Sequence, residues 1–228
     1  MKRSDINAAM LHALELFRAY RISLPPFALW TPEDWDGKGA EADEIRDNML
    51  GWDITDFGQG NFRQTGLLLI TLRNGNRKHP ERYPKPYAEK LMIVEEEQVT
   101  PMHFHWYKTE DIINRGGGNL MIRLYKADPN EALSGEDVQI VTDGVKKTLP
   151  AGSVVRLAPG ESITFTQGIY HRFWGEKGKG TVIVGEVSMC NDDTADNRFY
   201  DRVGRFPAIE EDEKPLFYLC NEYPAAKG

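Results

Sequence analysis

The chain has 228 residues, a length that all-β proteins commonly use as a single domain. Its 28 lysines and arginines against 35 aspartates and glutamates give a net charge of −7, and charges of both signs are interspersed. This balance argues against nucleic-acid binding through bulk positive charge. No run of about 20 apolar residues and no basic-then-apolar amino terminus is visible, so we expect a cytoplasmic protein that does not bind a membrane. The two cysteines are too few for a disulfide framework.

Two helical regions are predicted at the start of the chain. An apolar stripe with three- and four-residue spacing, which includes Ile6, Met10 and Phe17, predicts an amphipathic helix that docks on the rest of the domain. A second helical region, at about residues 31–50, begins with a cap-like Thr31 and contains two glycines that we expect to split it.

From about residue 66 the chain consists of short apolar runs separated by Gly, Pro and Asn, which is typical of a β-rich body. Predicted strands cover residues 67–72, 90–94, 120–125, 138–141, 153–157, 162–166 and 181–189. Asn74-Gly75 predicts a tight hairpin turn after the first run. Strands without long helices between them favour a sandwich or barrel of jelly-roll type. The acidic run at residues 210–213 is interpreted as a solvated loop.

Three histidines and one glutamate form a candidate metal site. His103 and His105 are two residues apart, so on a strand both imidazoles project from the same face. Glu110 lies five residues after His105, so a turn can bring its carboxylate back beside the two histidines, and His171 lies at the end of another predicted strand. Nitrogen and oxygen ligands without thiolates suit a divalent ion of Mn, Fe, Ni, Co or Zn that keeps coordination positions open for a substrate.

The spacing of these residues resembles the two sequence motifs of the cupin superfamily. The first motif is matched by His103, His105, Glu110 and Gly117, and the second by Gly160, Gly168 and His171. The sequence departs from the motifs at Glu97 in place of glycine, Thr166 in place of proline and Gly175 in place of asparagine. The resemblance implies an all-β fold, a cupin jelly-roll β-barrel that spans residues 1–228 as one domain. Residues 1–60 would then be a helical and irregular extension packed on the barrel.

Three longer segments resemble the D-lyxose isomerase family of cupin sugar isomerases: residues 89–119, 167–174 and 184–193. The resemblance implies a metal-dependent aldose–ketose isomerase that interconverts D-lyxose with D-xylulose and D-mannose with D-fructose. Its partner would be a pentose or hexose, and its cofactor one divalent ion, usually Mn²⁺. The resemblance also implies a homodimer, which the apolar stripe of the first helix supports because a barrel alone does not require such a helix.

This chemistry requires a group that moves a proton between C1 and C2 and a group that stabilises the enediol oxyanion. Glu186 lies on an otherwise apolar strand face, where burial would raise its pKa toward the range of a general base. Lys108 lies between two metal ligands in the sequence and is a candidate donor to the enediolate. Lys90, Asp193 and Arg198 are candidates for binding sugar hydroxyls at the barrel mouth.

Other interpretations remain open at this point. Glu186 could instead be a solvated edge-strand acid, and Lys108 a surface lysine on a turn. Three histidines and a glutamate also suit a metal-dependent dioxygenase. A non-catalytic sugar-sensing cupin would normally be joined to a DNA-binding module, and no basic helix-turn-helix is visible in the sequence. A hydride shift would serve the isomerisation as well as proton transfer through an enediol.

Overall fold

A computed structural model, which describes residues 1–192 and 195–227, places most of the chain in two antiparallel sheets. The eight-stranded sheet consists, in spatial order, of β1 (Gly51–Thr55), β2 (Leu67–Arg73), β3 (Tyr87–Val94), β12 (Val182–Met189), β5 (Glu110–Gly117), β10 (Ser162–Phe165), β7 (Val138–Thr142) and β8 (Val145–Leu149). The five-stranded sheet consists of β13 (Arg198–Phe199), β4 (Thr100–Phe104), β11 (Ile169–Gly175), β6 (Leu120–Lys126) and β9 (Val154–Leu157). From β3 to β7 and from β9 to β13, successive strands alternate between the sheets, as the predicted jelly-roll fold requires.

The space between the sheets is filled by one apolar cluster. Along β6, Leu120, Ile122 and Leu124 are fully buried in this cluster, whereas Arg123 between them is exposed. This period of two is expected of a strand with one face on the core and the other in solvent. Val182 and Val184 of β12 join the same cluster, so the first half of the inward face of β12 is apolar.

Helix α1 (Arg3–Ala19) covers the other face of the large sheet. Ile6, Met10 and Phe17 are buried in a second apolar cluster that contains Leu68 and Ile70 of β2. Strand β2 therefore has apolar side chains on both faces, and α1 removes the outer ones from water. The predicted amphipathic helix is confirmed, and its apolar stripe is covered within the chain.

The second helical region is split as expected. It forms α2 (Pro32–Trp35), capped by Thr31, and α3 (Asp43–Asp47), with 3₁₀ turns at Pro26–Leu29 and Ala40–Ala42. Strand β1, however, lies within residues 1–60, which were expected to be helical and irregular. No helix in the described part of the chain combines the length and the apolarity that a membrane span requires.

The predicted two-residue hairpin turn at Asn74-Gly75 was wrong. Strand β2 ends at Arg73 and β3 begins at Tyr87, so Asn74-Gly75 does not form a two-residue hairpin, although the two strands do pair. Gly75 serves close packing instead, because a Cβ atom there would lie 1.7 Å from the main-chain oxygen of Lys85.

The acidic run 210–213 is exposed, as predicted for a solvated loop, and it also contacts the start of α1. Glu211 accepts hydrogen bonds from Arg3, and Asp212 accepts one from the Ser4 main-chain nitrogen at 2.9 Å and one from its hydroxyl at 2.7 Å. Carboxylates are favourable at this end of a helix, where main-chain N–H groups lack partners within the helix.

Candidate metal and catalytic site

The fold brings the four predicted metal ligands together. His103 on β4 and His171 on β11 are direct neighbours in the register of the five-stranded sheet. His105 follows the end of β4, and Glu110 is the first residue of β5 in the other sheet. The ligand nitrogens of the three histidines lie within 4.8 Å of one another, and all three side chains are buried. This part of the prediction, the histidine cluster, agrees with the structure.

Main-chain carbonyl groups orient all three imidazole rings. The Nδ1 atoms lie 2.8 Å from the Pro101 oxygen for His103, 2.9 Å from the Asp196 oxygen for His105 and 3.1 Å from the Ile169 oxygen for His171. A carbonyl only accepts, so each Nδ1 carries the proton and each Nε2 keeps its lone pair. Burial lowers the pKa of His103 well below its usual value, which favours the neutral form that binds metal.

Two orphaned acceptors show that these residues fit a cation. Glu110 Oε1 lies 3.3 Å from His105 Nε2 and 3.2 Å from His171 Nε2. Among the described residues, neither Glu110 Oε1 nor His105 Nε2 has a hydrogen-bond partner, although both are buried. Buried acceptors that face each other are costly unless a positive charge lies between them. The three imidazoles could therefore hold a divalent ion, with the Glu110 carboxylate as a candidate fourth ligand.

Lys108 connects the candidate ligand Glu110 to Glu186, the candidate base, through two ion pairs. Lys108 Nζ lies 2.9 Å from Glu110 Oε2 and 2.9 Å from Glu186 Oε1. Lys90 Nζ lies 3.4 Å from the same Glu186 oxygen, to which Ser188 donates a hydrogen bond of 3.0 Å. The side chains of Lys108, Lys90, Glu110 and Glu186 are each at most 6% exposed. Glu186 and Lys108 are thus neither a solvated edge acid nor a surface lysine.

The direction of the Glu186 pKa differs from the expectation. Burial alone would raise this pKa, but the positive charges of Lys108 and Lys90 outweigh burial and hold it below its usual value. Burial also acts against ionisation of Glu110, but Lys108 and the neighbouring histidines together outweigh it, so the pKa of Glu110 lies well below its usual value. Both carboxylates therefore favour the ionised form.

These residues line a cavity of about 70 Å³ between the sheets. Its lining includes the three histidines, Glu110, Glu186, Lys90 and Lys108. Arg198 is not among the lining residues, and its Nε donates a 2.8 Å hydrogen bond to Glu131. Its role in sugar binding stays a prediction. Asp193 lies outside the described residues.

Sequence reasoning missed several residues around the cavity. Asn191 Oδ1 accepts hydrogen bonds from Lys90 at 2.8 Å and from Lys108 at 3.3 Å. Asn197 and Arg205 line the cavity. Asn191 lies in segment 184–193, which the family resemblance had singled out. Nothing in the local sequence pattern distinguishes Asn197 or Arg205.

Comparisons with known proteins agree with this site. The family model for D-lyxose isomerase matches residues 1–223. The D-lyxose/D-mannose isomerase of Escherichia coli O157:H7 is 51% identical over 224 residues, which cover 98% of each chain. The D-lyxose/D-mannose isomerase of Serratia proteamaculans is 50% identical over the same share of both chains.

Solved structures support the same fold at lower identity. The L-ribose isomerase of Geodermatophilus obscurus superimposes with a TM-score of 0.60 at 18% identity, over 92% of this chain and 98% of that one. The L-ribose isomerase of Cellulomonas parahominis gives 0.57 at 19% identity over the same shares. At these identities the likeness concerns the fold. The match of the family model over nearly the whole chain, together with relatives of about half-identical sequence, shows that the chain belongs to the D-lyxose isomerase family.

Proposed function

We propose that this protein is an aldose–ketose isomerase that interconverts D-lyxose with D-xylulose and D-mannose with D-fructose. The observation that carries the proposal is the buried chain Glu110–Lys108–Glu186, which joins a metal ligand set to an ionised carboxylate in one cavity. The printed names of the two relatives of about half-identical sequence agree with both sugars. We further propose that His103, His105, Glu110 and His171 hold one Mn²⁺ ion, and that the protein works in the cytoplasm.

A divalent ion bound by these ligands would polarise the carbonyl of the sugar and lower the energy of the neighbouring oxyanion. Side chains of the protein transfer the proton and stabilise the developing charge. Glu186 takes the proton from C2 of the open-chain aldose, which leaves an enediolate with its negative charge on O1. A proton passes from the O2 hydroxyl to O1, and Glu186 returns the first proton to C1, so that C2 becomes the ketone carbon and C1 carries the hydroxyl. Lys108 has its ammonium group beside Glu186, where it stabilises negative charge that develops on the enediol oxygens.

Lys90 and Asn191 complete the surroundings of Glu186 and Lys108. Lys90 contacts Glu186, and Asn191 accepts hydrogen bonds from both lysines, so the two ammonium groups are held in defined positions. Preorganised charges cost no reorganisation when the transition state forms. We propose that Lys90 also binds a sugar hydroxyl.

The dioxygenase and sensor hypotheses explain less of this site. Neither a dioxygenase nor a sensor needs a buried carboxylate and ammonium pair beside the ligands, whereas proton transfer next to an oxyanion needs both. Family membership also favours the isomerase.

The proposal is tested by incubating Mn²⁺-loaded protein with a panel of aldopentoses and aldohexoses. We expect ketose from D-lyxose and D-mannose, with little product from the other sugars and no oxygen uptake. Deuterium from the solvent should enter the ketose if an exchanging enediol forms. Ketose without deuterium indicates a shielded transfer or a hydride shift. No ketose from any sugar with the metal site fully loaded would contradict the function, and oxygen uptake would favour the dioxygenase.

A further inference from the structure

We propose that Asp196 is a positioning residue that sets the orientation of His105 and the place of Lys108. This inference rests on the proposed function and concerns a residue that does not line the cavity. Asp196 lies just before β13, and only 2% of its surface is exposed. A buried carboxylate is costly unless hydrogen bonds satisfy it, so its partners indicate its role.

Each hydrogen-bond acceptor of Asp196 binds the segment between β4 and β5. Its main-chain oxygen lies 2.9 Å from His105 Nδ1 and fixes the ring. Its Oδ1 accepts from the Tyr107 main-chain nitrogen at 2.8 Å, and its Oδ2 accepts from that of Lys108 at 2.9 Å. One residue thus contacts a metal ligand and the main chain of the lysine that joins Glu110 to Glu186.

The segment needs such a partner because residues 105–109 belong to neither strand. The main-chain N–H group of Lys108 is buried with its side chain, and a buried N–H group requires an acceptor. No sheet ladder supplies one here, and the Asp196 carboxylate does. With its main chain held, the long side chain of Lys108 places Nζ within 2.9 Å of both carboxylates.

A second contact ties the same short segment to the metal ligands. The ring of Phe199, three residues after Asp196, stacks on His103 with a centroid distance of 5.1 Å and an angle of 28°. Residues 196–199 therefore contact two of the three histidines and the catalytic lysine. Groups that orient metal ligands typically change metal affinity or activity by about 10–100-fold when they are removed.

The decisive variant is Asp196→Asn. An amide keeps the size of the carboxylate but offers one oxygen, so the NH₂ group faces a main-chain N–H group and the segment shifts. We expect Mn²⁺ affinity, measured by chelator competition without sugar, to fall about 10–100-fold. We expect kcat to fall by a similar factor and KM for D-mannose to change much less, because Asp196 does not line the cavity.

Asp212→Asn is the matched control. Asp212 also uses both carboxylate oxygens: Oδ1 accepts from the Ser4 main-chain nitrogen at 2.9 Å and Oδ2 accepts from the Ser4 hydroxyl at 2.7 Å, at the start of α1. It does not line the cavity. The same chemical change there should leave Mn²⁺ affinity, kcat and KM unchanged. Equal losses in both variants would overturn the proposal, since Asp196 would then be merely structural.

Asp196→Glu keeps the experiment decisive if the asparagine variant does not fold. Glutamate retains both acceptor oxygens, so it should restore part of the Mn²⁺ affinity and kcat. A folded Asp196→Asn protein with the metal affinity and kcat of the original protein would overturn the proposal. If only Asp196→Glu folds, a loss of Mn²⁺ affinity and kcat as large as that expected for Asp196→Asn, with no part restored, would overturn it. Because Mn²⁺ affinity is measured without sugar, an original protein that isomerises nothing would contradict the proposed function while the metal data still test Asp196.

Discussion

At the level of single residues, two opposing effects act on the carboxylate of Glu186. Its burial disfavours the ionised form, and the neighbouring Lys108 and Lys90 favour it. The lysines prevail, so the group that is to take a proton is already deprotonated. A carboxylate buried there without these lysines would have a raised pKa, so it would be a stronger base once ionised, but a smaller fraction of it would be ionised.

Replacing Glu186 by Gln should isolate the proton transfer. The amide preserves shape but cannot take up a proton, so we expect kcat to fall about 10²–10⁴-fold. Mn²⁺ content and KM should change little, because Glu186 is not a proposed ligand. Steady-state kinetics and metal analysis check this. Retention of most of the turnover would show that another residue is the base.

Replacing Lys108 by Met should separate charge stabilisation from metal binding. Lys108 Nζ lies 2.9 Å from Glu110 Oε2, so its loss removes a positive charge close to the metal ligands. We expect Mn²⁺ affinity to be maintained or increased, whereas kcat falls about 10²–10³-fold. Lys126→Met, at an exposed lysine paired with Glu136, is the control and should change neither. A Lys108→Met protein with near-normal kcat would refute the role of Lys108.

At the level of elements, the start of α1 is bound to the C-terminal segment by ion pairs and hydrogen bonds. The side chain of Arg3 in the first turn of α1 is 2% exposed and forms ion pairs with Glu211 and Glu222. Ser4 donates twice to Asp212, and Asn7 donates to Glu213 at 3.1 Å. The C-terminal segment thereby helps to hold α1 against the sheet whose β3 and β12 carry Lys90 and Glu186.

Arg3→Met should destabilise the protein by about 1–2 kcal/mol at pH 7, because it leaves the half-buried Glu222 and the more exposed, solvent-screened Glu211 without this partner. A hydrogen bond from Arg3 lowers the pKa of Glu211. Stabilisation from a lowered pKa is present above the ordinary carboxyl pKa and disappears as pH falls through the folded-state value. The difference between the two proteins should therefore shrink below about pH 4.

Denaturant unfolding of both proteins at pH 7 and pH 3 measures this difference. Arg18→Met, in the exposed last turn of the same helix, should cost much less at either pH. A difference that is unchanged at pH 3 would show that Arg3 acts through packing of its apolar stem.

At the level of the whole molecule, both sheets contribute to the proposed metal site. β4 and β11 of the five-stranded sheet carry His103 and His171, and β5 of the eight-stranded sheet carries Glu110. An ion that binds all of them links the sheets only in the folded state. Metal binding should therefore stabilise the whole fold.

Addition of Mn²⁺ at 100 times its Kd should stabilise the protein by about 2.7 kcal/mol, and a chelator should reverse the effect. The Tm measured with and without Mn²⁺ checks this. His171→Ala removes one ligand and should lose most of the Mn²⁺-dependent shift in Tm. Full metal occupancy in this variant would overturn the assignment of His171.

The homodimer stays a prediction. The apolar stripe of α1, which was one reason for it, is covered by the protein's own sheet and gives no support. The family resemblance is then the remaining reason. Sedimentation should give twice the chain mass of 25.9 kDa, and a monomer at working concentration would refute it.

The sequence by itself determined the features that depend on neighbours along the chain. Alternation along a strand predicted that His103 and His105 share a face and that Glu186 shares one with Val182 and Val184, and the apolar stripe predicted α1. The two cupin motifs then predicted Glu110 and His171 as their partners. Periodicity is a local property of the chain, and a motif is a fixed spacing along it. Neither kind of prediction therefore needed knowledge of which strands pair.

Only the tertiary structure decided how the site is charged and held. The pKa of Glu186 depends on Lys90 from the neighbouring strand β3 and on Lys108, which is 78 residues away in the chain. Asp196 reaches Lys108 across 88 residues, and the acidic run reaches Arg3 across 208. Burial and electrostatic effects act through space, and a single sequence does not show which distant charges meet. The same reason explains why burial alone predicted the wrong direction for the pKa of Glu186 and why the pairing of Arg198 with Glu131 could not be predicted.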